Sequence, residues 1–183
     1  MTTPILTTTR LSLVPASLDD VEFVQAEFPY WEIVRFMNAR VPWPYPADGA
    51  LTFYRDVLLP QIARGEAHSW SLRPCDAPEI QIGVVTLHIT ADGENRGFWI
   101  AHPHQRRGFA RETADAATDF YFRVLDQPEL RVSKAVVNAA SRRISVAQGM
   151  RVIWAGERDY VSGRLASETW AITRDEWTAR RAS

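Results

Sequence analysis

Apolar residues along the chain recur first at every second position, then at every third or fourth, then at every second again. Leu11-Ser-Leu-Val14 alternates and stops at Pro15, which predicts a short strand. Ser17 stands where a helix N-cap belongs, with Asp19, Asp20 and Glu22 in the favoured first turn, so a helix is expected over 18–28. A second short helix is expected over 31–37. The segment 40–49 holds Pro42, Pro44 and Pro46, which remove donors and fix backbone angles, so it is read as irregular. Helical spacing resumes over 50–63.

Strands are expected over 69–72 and 80–89, the second rich in β-branched residues. Asp92-Gly93 is a turn signal that makes 96–100 the next arm of an antiparallel hairpin. Phe109, Thr113, Ala116, Ala117, Phe120 and Val124 then repeat at helical spacing, with charged residues between them. A strand over 131–137 and a helix over 138–148 follow, the helix closed by Gly149. The segments 151–160 and 168–172, around Ser162-Gly163, make a final hairpin. This order predicts an α+β domain: helices first, a meander, a strand–helix–strand crossover and a closing hairpin.

Length and composition narrow the picture. At 183 residues, with 46% apolar and 23% charged residues, the chain is sized and composed for one domain over 1–183. The lone Cys75 can form neither an internal disulfide nor a zinc cluster, so no metal is expected. No apolar run suits a signal peptide or a membrane span, and the expected location is cytoplasmic. A net charge of −1 argues against nucleic acid as a partner. Basic residues pair locally, at Arg106-Arg107 and Arg142-Arg143, which suits a small polyanion.

The stretch from Gly97 to Ala110 runs from a strand through a short basic loop into an amphipathic helix. Such a junction binds anions, because first-turn N–H groups are unpaired and the helix dipole is positive there. Gly108 either lets a phosphate approach the backbone or simply eases a tight turn.

Here the sequence resembles the GNAT superfamily of acetyl-CoA-dependent N-acetyltransferases. Gln105-Arg-Arg-Gly108-Phe-Ala110 matches its pyrophosphate-binding pattern. The branch that acetylates ribosomal-protein N-termini is matched in order across nearly the whole chain. The matching segments are Thr8-Thr-Arg10-Leu-Ser-Leu13, Gly97-Phe-Trp-Ile100, Gly108-Phe-Ala110-Arg-Glu112, Asn138-Ala-Ala-Ser141-Arg-Arg143 and Trp170-Ala-Ile-Thr-Arg-Asp-Glu-Trp177. The resemblance implies a mostly antiparallel twisted sheet with a splayed strand pair, flanked by helices. It implies acetyl-CoA as donor, with the pantetheine arm between the splayed strands along Phe98, Trp99 and Ile100. Gln105, Arg106, Arg107, Gly108, Phe109 and Ala110 would form the pyrophosphate loop. Asn138 and Ser141 would lie near the arm, and Arg142 or Arg143 would reach the 3′-phosphate.

Amide formation from a thioester needs a neutral amine and a proton for the leaving thiolate. Ser141 is the candidate acid, or else a helix-start hydroxyl bonded to backbone. Glu94 is the candidate base and His88 the second, with a water held by backbone as the third option. Trp31, Trp43 and Tyr45 flank the acceptor cleft in relatives, and they either bind the amine or pin the proline-rich loop. Two departures from the branch pattern stand out: Gly149-Met-Arg-Val-Ile-Trp154 holds no acid, and Asn95 or Arg96 replaces an acid before Gly97. They leave a small-molecule amine open beside a protein N-terminus as acceptor. The chain is expected to act as a monomer or homodimer. The alternative function is an acyl-CoA sensor without turnover.

Overall fold

The computed structural model describes residues 2–90 and 93–181. The alternating segments form two antiparallel sheets. The first has five strands in chain order: β1 (Leu6–Thr7), β2 (Leu11–Pro15), β3 (Ala67–Pro74), β4 (Gly83–His88) and β5 (Arg96–Ile100). The second joins β6 (Glu129–Ala135), β7 (Arg151–Tyr160) and β8 (Gly163–Thr173), with β8 in the middle. The chain is thus an α+β fold whose sheet is split in two. Asp92 of the expected turn lies outside the described residues.

After a single 3₁₀ turn (Leu18–Asp20), Ser17 and Asp20 close a reciprocal capping box that launches α1 (Val21–Glu27). Next come α2 (Trp31–Val34) and the irregular proline segment. The helix expected over 50–63 is present in three parts: α3 (Gly49–Phe53), a wide π turn (Tyr54–Leu58) and α4 (Leu59–Ala63). The wide turn precedes Pro60, which has no N–H to return to the preceding turn. The crossover helices are α5 (Phe109–Arg123) and α6 (Ala139–Ala147). A last helix, α7 (Arg174–Arg181), follows the closing hairpin, where periodicity predicted no helix. It presents one large apolar residue, too few to make a helical pattern. That residue, Trp177, is buried and donates its indole N–H to Asp119 at 2.9 Å.

Two cores result. Leu11, Leu13, Trp70, Leu87, Phe120, Val132 and Ile172 belong to the larger, which α5 shares with both sheets. Val24, Ala50, Tyr54, Leu58 and Val84 make the smaller, under α1, α3 and α4. Strand β5 divides them, because side chains alternate across it. Phe98 and Ile100 pack into the larger core and Trp99 against the smaller.

The two sheets are tied where β5 and β6 begin. Asn95, only 2% exposed, donates its backbone N–H to the Arg131 carbonyl at 2.8 Å and accepts the Arg131 N–H on Oδ1 at 2.8 Å. Its Nδ2 donates to the Thr90 carbonyl at 2.9 Å, and its own carbonyl accepts the His88 N–H. Beyond this point β5 and β6 join different sheets and separate. Asn95→Ala removes the side-chain half of the tie and leaves a part-buried Arg131 N–H unpaired. The expected loss in a urea melt is about 2–3 kcal/mol; less than about 1 kcal/mol would mean that packing alone holds the sheets.

Candidate active site

Beyond Asn95 the inner edge of β5 is open. Ala101 N–H bonds Ile82 across the β4 ladder, and antiparallel pairs alternate between bonded and non-bonded. Trp99 and Gly97 therefore turn their backbone groups toward β4, while Arg96, Phe98 and Ile100 turn theirs toward the gap. Of the three edge residues expected from the sequence, Phe98 and Ile100 present amides there and Trp99 does not. Trp99 instead stacks on Phe23 at 5.8 Å and leans on Phe28 at 5.5 Å.

The gap opens onto the basic loop. Arg106 has φ of 61° and Gly108 of 84°, two left-handed residues in three, which curls the backbone into a shape that gathers N–H groups. Gly108 is the N-cap of α5 and has no side chain to occupy the first-turn donors. A Cβ there would force a left-handed side chain and meet the Arg10 guanidinium at 3.2 Å. The turn is one only glycine makes freely, and it also leaves the donors uncovered. Arg106 and Arg107 are exposed, and Phe109 is buried. Gln105 points back into the fold and donates to the Ile100 carbonyl at 2.9 Å, bracing the strand against the loop.

A clamp holds this loop from behind. Glu112 accepts from Thr8 Oγ1 at 2.6 Å, from the Arg10 N–H at 2.8 Å and from Arg10 Nε at 2.7 Å. Arg10 then donates to the Arg107 carbonyl at 2.9 Å and lies 4.7 Å from the centre of the Phe109 ring. Two segments noted separately in the sequence, Thr8–Leu13 and Gly108–Glu112, are thus one device. Burial alone would raise the Glu112 carboxyl, but the bonds from Thr8 and Arg10 outweigh it and hold it below its usual range.

Past the gap, Asn138 caps α6 by accepting the Ser141 N–H at 3.2 Å. The cap is therefore Asn138, and the Ser141 hydroxyl has no hydrogen bond among the described residues. Arg142 is committed to Glu168 through bonds of 2.9 and 3.1 Å, whereas Arg143 is exposed and has no partner among the described residues. Glu94 is 47% exposed and 3.7 Å from Arg158. His88 is half-buried on β4, and burial holds its imidazole below the usual value. Trp31 and Trp43 stand together at 5.5 Å, both over 40% exposed. Tyr45 is half-buried, edge-on to Phe28, and its ring fills the space beside Gly49. Tyr45, Phe28 and Trp99 form a continuous aromatic surface from the proline segment to β5.

A groove of about 590 Å³ lies between the first residues and the outer face of α5. Its acids are already used: Glu112 by Thr8 and Arg10, Asp115 by Gln148, and Asp119 by Trp177 and Arg181. It has little left for chemistry.

The acetyltransferase (GNAT) domain profile matches residues 10–151, more than half of the chain. The chain belongs to the GNAT acetyltransferase family. No curated protein matches it in sequence. Among solved structures, it is similar to RimL, a ribosomal L7/L12 alpha-N-protein acetyltransferase in complex with coenzyme A. That pair has a TM-score of 0.78 and 16% identity over 94% of this chain and 99% of that one. Spermidine N-acetyltransferase from Vibrio cholerae, with CoA and spermine, also has a TM-score of 0.78, at 19% identity over 93% and 99%. The ribosomal-protein-S5-alanine acetyltransferase from Vibrio fischeri matches with a TM-score of 0.78 and 12% identity, over 95% and 98%. These likenesses establish that the GNAT fold is shared.

The basic loop is contiguous in the sequence, whereas the residues that support it are not. Asn95, Arg10 and Glu112 carry no chemistry of their own, and only their contacts disclose their part. Glu112→Gln keeps the shape and removes the charge. The folded pKa is depressed, so the clamp's stabilisation is present above the unfolded value near about 4.3 and is lost as pH falls through the folded value. The variant is expected to be about 1 kcal/mol less stable at pH 7, discounted because Arg10 is half exposed, with the difference closing toward acid pH in thermal melts.

Proposed function

We propose that this chain, one domain over 1–183, transfers the acetyl group of acetyl-CoA to a primary amine in a ternary complex. The observation that carries the reading is a single continuous track. The open Phe98 and Ile100 amides lead into the left-handed, cation-flanked loop at the N-terminus of the 15-residue helix α5. A pantetheine arm needs the first and a pyrophosphate the second. Amides from Arg106 to Ala110 take the pyrophosphate, with Arg106 and Arg107 adding charge. Asn138 Nδ2 faces the arm, and Arg143, rather than the committed Arg142, takes the 3′-phosphate.

The amine nitrogen attacks the thioester carbonyl, the C–S bond breaks, and the electron pair leaves on sulfur. Glu94, only loosely paired with Arg158, takes the amine proton; His88, kept neutral by burial, is the second candidate. The unengaged Ser141 hydroxyl lies on the first turn of α6, where it can serve the departing sulfur. The acceptor enters over Trp31, Trp43 and Tyr45, whose faces suit a cationic or peptide amine. The ordered motifs favour kinship with the ribosomal-protein branch. The lack of an acid over 149–154 and at Asn95 or Arg96 leaves a small amine open beside a protein N-terminus.

The test is release of free thiol from acetyl-CoA with a panel of small amines and N-terminal peptides, against a control without amine. Amine-dependent release is expected, and Gly108→Val should weaken acetyl-CoA binding by more than about tenfold, roughly 1.4 kcal/mol, in calorimetry. Binding without release under any amine would leave a sensor. Unchanged affinity in folded Gly108→Val would remove the loop from the site.

A further inference from the structure

Two buried cations lie near the point where β5 and β6 diverge. Arg96 from β5 and Lys134 from β6 are 5% and 6% exposed. Arg96 donates to the Ala114 carbonyl at 3.1 Å, to Thr118 and to Gln148 at 2.9 Å, but its Nε is buried with no partner among the described residues. Lys134 Nζ donates to Ser145 Oγ on α6 and lies 5.7 Å from the Trp170 ring centre. An ammonium has three N–H donors, and Ser145 is its one hydrogen-bond partner among the described residues. Among the described residues neither cation has a carboxylate within ion-pairing distance; Asp115 acts on Arg96, and Glu94 and Glu168 on Lys134, from farther off. Glu168, opposite Lys134 on β8, is held by Arg142 and by the Trp170 indole N–H at 3.0 Å.

Buried charges are ordinarily paired, because burial without a partner is costly. Two buried cations with no carboxylate in direct contact leave room for an anion beside them. The two come from the strands that diverge at Asn95 and approach one another on the side of the gap that α5 and α6 cover. On the acetyl-CoA reading, the anion formed in that gap is the thiolate.

We propose that Lys134 is the acid of the reaction, donating its proton to the coenzyme A sulfur as the C–S bond breaks. The sulfur takes the electron pair of the broken bond together with the Lys134 proton. The neutral lysine then regains a proton from water, and the proton lost by the amine leaves through Glu94 or solvent. Arg96 stays charged beneath and favours the same transfer. The charged groups around Lys134 are Arg96 from β5, Glu94 just before β5, Glu168 from β8 and Arg142 from α6, with Asp115 on α5 one step away through Gln148. Burial and the Arg96 charge bring the ammonium down to about 7, Glu94 and Glu168 pull it back up, and Arg142 acts with Arg96. A lysine in that range gives up its proton readily at neutral pH, which an ordinary lysine near about 10.4 does not. Ser141 then serves to orient the sulfur rather than to protonate it.

This inference rests on the acetyl-CoA reading, and the experiment separates the two. Coenzyme A is titrated into the wild type and into Lys134→Met and Lys134→Gln, neutral residues of similar length. The thiolate absorbance of the bound cofactor is then followed against pH. In the wild type the bound thiol should titrate at least one unit, about tenfold in acidity, below its value in either variant, with affinity changed less than about threefold. Turnover should fall by about 10²-fold or more with little change in KM for acetyl-CoA. The alkaline fall of kcat near the lysine's own pKa should disappear. Equal thiol titration in wild type and variants, or turnover within about twofold, overturns the role of Lys134 while the acetyl-CoA reading stands. Failure of the wild type to bind coenzyme A overturns both, and thermal melts of Lys134→Gln confirm a folded comparison.

Discussion

Asn95 binds three strands at one point and so decides where the sheet splits. Its backbone N–H and side-chain oxygen go to Arg131, its side-chain nitrogen to Thr90 and its carbonyl to His88. With both sides of one residue committed, β5 and β6 begin together and then follow different partners. An edge left unpaired inside a fold is ordinarily covered or blunted. Here it faces an opening that leads straight to uncapped N–H groups on α5. The parts of the candidate site are arranged around that split: the open amides of β5, the basic loop before α5, and two buried cations near the divergence.

Positive charge is arranged differently at the two ends. At the mouth, Arg106 and Arg107 are exposed, where water screens them and a phosphate can meet them, while Arg10 and Glu112 fix the backbone that presents the donors. Near the divergence, Arg96 and Lys134 are out of water and interact strongly with whatever charge appears nearby. The first arrangement suits binding a permanent anion. The second suits an anion that exists only as a bond breaks.

Much of the fold was legible in the sequence because periodicity and punctuation agreed. Ser17, the prolines at 42, 44 and 46, Gly149 and the helical repeat from Phe109 each did locally what the spacing predicted. What was missed lacked a local signal. α7 has a single large apolar anchor, β1 is two residues long, and the wide turn before Pro60 depends on one absent donor. For the site, the loop was legible because Gly108 and its arginines are adjacent in sequence. The Arg10–Glu112 clamp spans about a hundred residues, and Lys134 reads as an ordinary strand lysine until its surroundings are known.

The central claim is that the open edge of β5 and the first turn of α5 form one cofactor track. Amide hydrogen exchange with and without coenzyme A tests it most directly, because both segments expose backbone donors that only a ligand can cover. Slowed exchange at Phe98 and Ile100, together with Phe109, Ala110 and Arg111, is the result the account predicts. Unchanged exchange at those amides, with protection appearing instead along Ile5–Thr9 over the groove beside α5, would contradict it.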